Sequence, residues 1–542
     1  MKRSALSILA SLCLVLSGCG GAAAPVETSQ VTESTVSETV SAQQTQATRQ
    51  ETYLAIPKDA MTITLSDDGI TTDAPDTAVH TANDIVYYES GHDFTYGEGT
   101  QADAHTAEEA AAHTVVHITA PGTYILRGQL SAGQIAVELG EDAKDDPNAV
   151  VTLVLDGVDI TCTVAPAVIF YQVYECGPES DEGGDVDLSA AGARVILADG
   201  SENIIHGSYV ARIYKSFTLS EDGTQVTDSK KLHKYDGAFY SKMSMAIYGE
   251  SENCGNLTIY GENEGLDTEL HLTQYSGNIT IFSGNDGINT NEDGISVTSI
   301  LGGNLSITVT GETGEGDGID SNGYLIIDGG HVTACACSDS ADSGIDADNA
   351  IVIRSGTVIA AGNMLDQIDE GQTYVVLTFG SRQSGGPYTL KNAQGQTVLE
   401  CAPANRFTYL VLSTDTLEPG DYTLWQGDTQ LTAAKSEGTS GFGGPQGGQR
   451  PDAMGQPPEG MERPDGTEPS RPDGDQRPDG TMGEPPQLPD GEVPGDPPTD
   501  KDRGDRPQGM DGKNPGDRGF QSTGEQSQTL TITQGSNFFS VG

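Results

Sequence analysis

An acidic or polar residue, a glycine, an apolar residue and a carboxylate or amide recur in that order four times between residues 264 and 346. The copies are Glu264-Gly265-Leu266-Asp267, Asp286-Gly287-Ile288-Asn289, Asp317-Gly318-Ile319-Asp320 and Ser343-Gly344-Ile345-Asp346. If each copy sits on one of a set of adjacent strands, equivalent residues stack about 4.7–4.9 Å apart. Asp267, Asn289, Asp320 and Asp346 then form one column. Glu264, Asp286 and Asp317 form a second, with Asp342 near it. Like charges at that separation disfavour joint ionisation, so either some carboxyls are protonated or a cation lies between them. Calcium suits such a site, because it takes six to eight oxygens from carboxylates, amides and backbone. Asn289, Thr290, Asn291 and Ser321 would add uncharged oxygens. The competing reading is that Asp-Gly merely serves each turn. No EF-hand spacing and no Cys/His zinc pattern is present.

The elements that must carry these residues repeat as well. A short alternating strand preceded by glycine or asparagine recurs as Asn256-Leu257-Thr258-Ile259, Asn278-Ile279-Thr280-Ile281 and Asn304-Leu305-Ser306-Ile307. Looser copies begin at His331-Val332 and Thr357-Val358. From the first apolar residue of each, the steps are 22, 26, 27 and 26 residues. A fixed period in this range marks a repeat architecture. Each repeat holds only short strands and turns, without the leucine-rich pattern or the four strands of a propeller blade. The spacing predicts an all-β chain with a right-handed parallel β-helix over 53–365. Leu257, Ile259, Ile279, Ile281, Leu305 and Ile307 would point inward and stack into one core. A helix over 102–113 would cap its N-terminal end. Short strands over 366–436 predict a small β-sandwich-like unit.

Flat aromatic faces are the second feature with binding chemistry. Tyr260 and Phe282 occupy equivalent positions of successive repeats and alternate outward, so they should be neighbours on one face. Tyr240 and Tyr248 precede them. Stacked exposed rings could hold a linear glycan; ordinary cross-strand packing is the competing reading.

Charge and composition narrow the partners. Acidic residues outnumber basic ones 80 to 27, for a formal net charge of −53. A surface this negative repels phosphate backbones and anionic membranes, so nucleic acid is not expected as a partner. Lys2 and Arg3 precede a short apolar run that ends in Leu16-Ser17-Gly18-Cys19. Those residues read as a secretory signal, 1–19, with a lipobox that would leave Cys19 acylated as a lipid anchor. The only membrane contact expected is therefore through that N-terminal lipid, and the protein is expected to be extracytoplasmic. Residues 20–52 read as a disordered tether. Sixteen of the 26 prolines lie between Pro445 and Pro515, and Arg-Pro-Asp-Gly recurs three times there. That composition predicts a disordered insertion over 437–525, with the strand in 526–542 pairing back onto the small β unit. The remaining cysteines are too sparse for a disulfide scaffold, although Cys162 and Cys176 could pair.

The motif Asp317-Gly318-Ile319-Asp320-Ser321-Asn322-Gly323, with Leu325 and Gly329-Gly330 after it, resembles the signature of a bacterial extracellular family. So do Asp236-Gly237-Ala238-Phe239-Tyr240-Ser241-Lys242 and Leu155-Asp156-Gly157-Val158-Asp159-Ile160. Members of that family have a pectate-lyase-like β-helix, bind cellulose and acidic pectin-type polysaccharide, and carry calcium. The resemblance spans about 60–435 and is strongest over 236–362. It implies calcium at Asp267, Asp286, Asn289, Asp317, Asp320, Asp342 and Asp346. On the reading of the aromatic positions given above, polysaccharide would meet Tyr240, Tyr260 and Phe282. The chain departs from the family at 209–235 and at the Pro-Asp-Gly insertion.

Three functional readings follow. The first is a non-catalytic, calcium-binding, polysaccharide-binding surface protein. The second is a calcium-dependent lyase, with Lys242 or Arg354 as the base that removes the proton α to a uronate carboxyl. The third is a structural adhesin. Residues 243–362 contain no lysine and only Arg354 as a cation, too few to hold several substrate carboxylates. Binding is therefore expected over cleavage.

Overall fold

A computed structural model describes residues 51–180, 183–384, 386–436 and 525–542. The expected lipobox with Cys19, nearly all of the tether and almost all of the Pro-Asp-Gly insertion lie outside these residues. The described chain is almost wholly β. Its helical content is one α-helix, Ala107–Ala111, and one 3-10 turn, Glu141–Asp145. The helix expected over 102–113 is thus confined to five residues. A capping box opens it: Glu109 N–H bonds to the Thr106 hydroxyl, and the Glu109 carboxylate accepts from Thr106 N–H.

The repeats do lie parallel and in register. Leu257 stands opposite Ile279, Ile279 opposite Leu305, Leu305 opposite Val332 and Val332 opposite Val358. Ile259, Ile281 and Ile307 form the adjoining row, and every one of these side chains is buried. They belong to a single apolar core that runs from Ile63 to Val411.

The expected right-handed β-helix is corrected by the way the ladder closes. Val151–Thr161 pairs with Ala193–Leu197 through its first half and with Glu202–Gly207 through its second. Tyr324–Cys335 likewise pairs with Val297–Ile300 and then with Asn304–Val309. Two runs of parallel strands are joined at both ends, giving a closed ten-strand parallel barrel in place of an open solenoid. Glycine makes the closure possible. Gly157 and Gly330 adopt φ values of +82° and +70°, which let one strand turn from the first run into the second. A second, nine-stranded sheet runs beside the barrel, from Val79–Ala82 to Ile345–Ala347, and carries the acidic repeat.

The small β unit is hydrogen-bonded onto the main sheet. Phe407–Ser413 pairs antiparallel with both Ala350–Gly362 and Tyr374–Gln383. Ser536–Val541 lies parallel to Tyr374–Gln383, and Leu530–Ile532 pairs with Gly420–Gln426. A second apolar core of its own fills the unit. Residues 209–235 contribute an antiparallel hairpin, Tyr214–Leu219 with Val226–Lys231.

The glycine of each acidic phrase is required by contact. A Cβ on Gly287 would meet Ile307 Cγ2 at 2.2 Å and the Gly318 carbonyl at 2.5 Å. Gly265 and Gly318 are crowded in the same way, by the Gly287 and Gly344 carbonyls. Gly287→Ala should therefore cost about 1–3 kcal/mol, as overpacking does, and lower the melting temperature by several degrees. Gly380 has nothing within 4 Å of a built Cβ, and Gly380→Ala should leave it unchanged. Equal melting temperatures for the two variants would contradict the close approach.

Candidate functional site

The nine-stranded sheet brings the two acidic columns together. Tyr240, Asp267, Asn289, Asp320 and Asp346 are successive partners across its strands. The second column is stepped by backbone bonds. Gly265 N–H donates to the Asp286 carbonyl, Gly287 N–H to that of Asp317, and Gly318 N–H to that of Ser343. Ser343 therefore takes the fourth position, and Asp342 lies one residue before it.

Three of these carboxylates also serve the turns. Asp286 accepts from Asp317 N–H at 2.7 Å, Asp317 from Ser343 N–H at 2.5 Å and Asp342 from Gly316 N–H at 2.6 Å. Each such bond uses one carboxylate oxygen.

The Glu264–Asp267 end is different. Asp267 is fully buried and Glu264 nearly so. Asn289 Nδ2 donates to Glu264 Oε1 at 3.0 Å, and Asn291 Nδ2 donates to Asp267 Oδ1. Glu264 Oε2, Asp267 Oδ2 and Asn289 Oδ1 are buried and have no hydrogen-bond donor among the described residues. A buried oxygen without a donor is costly. Either a proton shared between the Glu264 and Asp267 carboxyls or a cation would complete these oxygens. Among the described residues, no three His, Cys, Asp or Glu side chains group together as metal ligands. A cation here must therefore draw on the Asn289 amide and on backbone oxygens as well.

Burial dominates the titration of this ladder. It pushes Glu264 and Asp267 well above the usual carboxylate range, and the neighbouring acids add to the effect. Asp317 is raised for the same reasons. Asp286 is pushed up to about 6 and Asp320 and Asp346 to about 7. Asp366, outside the repeated phrase, is raised by burial too and accepts from Ala347 N–H at 3.1 Å. It lengthens the ladder beyond what the repeat indicates.

The aromatic residues separate into two groups. Tyr260 and Phe282 are direct partners across parallel strands, with ring centroids 5.2 Å apart and planes 12° from parallel. His206, on the preceding strand, stacks on Tyr260 at 4.4 Å and 6°. The outcome is a row of three near-parallel rings with Tyr260 exposed. His206 carries no repeat signature, and only strand pairing reveals it. Tyr240 cannot offer a face to a ligand: it is buried, and its hydroxyl donates to Glu269 at 2.7 Å. Tyr248 is buried against Tyr275.

Of the two cations considered as bases, Arg354 pairs with Asp185 at 3.1 Å. Lys242 is exposed beside the acidic sheet. Cys162 and Cys176 are both free thiols, as are Cys254, Cys335, Cys337 and Cys401.

Residues 112–376 match the model of a family described as carbohydrate-binding domain-containing protein. That stretch contains both the acidic ladder and the three stacked rings. A carbohydrate-binding domain-containing protein of Acetivibrio thermocellus is 32% identical over 164 residues, which are 30% of this chain. The match spans 43% of that relative's length. A solved structure of a polysaccharide lyase-like protein from C. thermocellum, a gadolinium derivative, is 22% identical. It aligns with 57% of this chain and 90% of its own, at a TM-score of 0.32. At the level of sequence, this chain is similar to carbohydrate-binding domain proteins over the region that holds the candidate site.

Proposed function

We propose that this protein binds polysaccharide without cleaving it, on an extracytoplasmic surface to which Cys19 anchors it by lipid, and that calcium is part of its folded state. The observation that carries the reading is the row His206–Tyr260–Phe282 inside the region matched by a carbohydrate-binding family. A pyranose ring has an apolar face, and a row of parallel rings offers it successive stacking partners at the spacing of parallel strands. Cellulose and acidic, pectin-like glycans are the candidate ligands. The calcium ligands would be Glu264, Asp267 and Asn289 at the buried end, with Asp286, Asp317, Asp320, Asp342 and Asp346 along the ladder. Calcium would supply the positive charge that these oxygens lack.

A calcium-dependent lyase is the second reading. Lys242, exposed beside the acidic sheet, is the residue that keeps it open. The scarcity of other cations over 243–362, and the pairing of Arg354 with Asp185, favour binding.

Two outcomes are expected. Tyr260→Ala should weaken retention on an insoluble or immobilised glycan by about two- to tenfold, taking roughly 0.5–1.5 kcal/mol for a stacked aromatic contact. The melting curve should not change. Unaltered retention would mean that the rings only pack against one another.

The second outcome concerns pH and calcium together. In chelator, Asp286, Asp320 and Asp346 hold protons in the folded chain up to about pH 6–7, whereas in the unfolded chain they lose them near pH 4. The folded state thus binds extra protons across that window, so stability should fall as pH rises from about 4.5 to 7.5. Calcium favours the ionised form and should flatten the fall. At a hundredfold excess over Kd it should add about 2.7 kcal/mol at neutral pH. Asp320→Ala should reduce the calcium response more than Asp76→Ala, which changes an exposed residue away from the ladder. A melting temperature indifferent to both pH and chelator would contradict the calcium site.

A further inference from the structure

Residues 209–235, where the chain departs from the repeat, do more than extend a hairpin. After Val226–Lys231 the chain returns beside the incoming limb of the insertion, and Tyr235 and Lys234 reach the acidic sheet at Tyr240 and Glu269. Leu232 N–H donates to the Ile213 carbonyl and Val210 N–H to the Tyr235 carbonyl, each at 2.8 Å. Under this return lies a cavity of about 500 Å³, whose walls include Lys231, His233, Lys234, Tyr235, Lys242 and Glu269. That volume lies within the range of small-ligand sites.

The cavity has unusual chemistry for this chain. Five of the twelve lysines of the sequence fall between 215 and 242, and three of them line the cavity. Lys231 is held by Glu98, and Lys234 lies 3.8 Å from Glu269. Lys242 has no ion pair among the described residues and is exposed. Three carboxylates line the cavity as well. Glu179 lies 3.6 Å from Lys144, and Glu269 accepts from the Tyr240 hydroxyl. Glu292 is exposed and can accept from hydroxyls. With three lysines against three glutamates the cavity is formally neutral on a chain of net charge −53. A polyanion would meet less repulsion there than over most of the surface.

His233 points most directly to a ligand. It is 8% exposed, and neither ring nitrogen has a hydrogen-bond partner among the described residues. Its ring lies nearly flat on Tyr235, with centroids 4.4 Å apart, and Tyr171 and Tyr240 pack edge-on against that tyrosine. Burial keeps the imidazole neutral at neutral pH, so it presents one donor and one acceptor. A sugar hydroxyl both donates and accepts, and would complete such a pair.

We propose that this cavity is a second glycan site, separate from the ring row, that holds a uronate unit of an acidic polysaccharide. Lys242 and Lys234 meet the sugar carboxylate, His233 bonds a ring hydroxyl, and exposed Leu232 with Tyr235 covers the apolar face. The inference rests on the polysaccharide-binding reading and adds to it a separate site for the acidic of its two candidate ligands. It differs from calcium bridging, since here lysines make the contact.

The test is calorimetric titration of the full chain with trigalacturonate, and separately with a neutral cello-oligosaccharide, in chelator so that calcium cannot bridge, at a pH and temperature where the melting curve shows the chelated chain fully folded. The unsubstituted chain should bind trigalacturonate, and Lys242→Ala should weaken that binding at least tenfold at an unchanged melting temperature. Lys242→Arg should restore most of it, and affinity for the neutral oligosaccharide should not move. Trigalacturonate binding that Lys242→Ala leaves intact but Tyr260→Ala removes would overturn the cavity site and leave the polysaccharide reading standing. Binding of neither glycan by the unsubstituted chain would overturn both.

Discussion

Neighbouring copies of the acidic phrase come within backbone contact of one another because the residue at their closest point has no side chain. Gly265, Gly287 and Gly318 each lie against the carbonyl of the next glycine in the column, at distances where a Cβ could not fit. The hydrogen bonds from Gly265 N–H to the Asp286 carbonyl, and from Gly287 N–H to that of Asp317, depend on that approach. So does the alignment of Leu266, Ile288, Ile319 and Ile345 on the core side. The same alignment has an electrostatic consequence. It fixes acidic side chains above one another and buries several of them, which raises their proton affinity and leaves oxygens without donors.

A fold that buries carboxylates in register needs protons or cations to be stable at neutral pH. The proposed calcium would belong to the architecture of the nine-stranded sheet, whereas the rings proposed to meet glycan lie on the barrel strands. The two features therefore occupy different sheets. Loss of calcium should act on glycan binding through the frame. The inserted return over 232–235 packs Tyr235 against Tyr240, which is buried and lost to ligand as a stacking face.

Much of this was legible in the sequence because side-chain period and repeat period act together. A fixed step places Leu257 opposite Ile279, and Asp267 opposite Asn289, whatever surrounds them. The same arithmetic pairs Tyr260 with Phe282 but passes over His206, whose strand precedes the clear repeats. It says nothing of how a ladder ends. Closure of the barrel depends on Val151–Thr161 and Tyr324–Cys335 bending through glycines while still pairing on both sides. A period cannot distinguish one bent strand from two short ones. The cavity was hidden for another reason. Lys231, His233 and Lys234 belong to an insertion, while Lys242, Glu269 and Glu292 belong to the repeats, and only the folded return brings them together.

The central claim, that donor-less buried oxygens at Glu264, Asp267 and Asn289 hold a cation, is tested most directly by counting calcium. The full chain, dialysed against micromolar calcium and freed of unbound ion, should retain calcium in stoichiometric amount by elemental analysis. Glu264→Gln combined with Asp267→Asn should lose that retained ion while the chain stays folded. Retention unaffected by the double substitution, or no retention by the unsubstituted chain, would contradict the account.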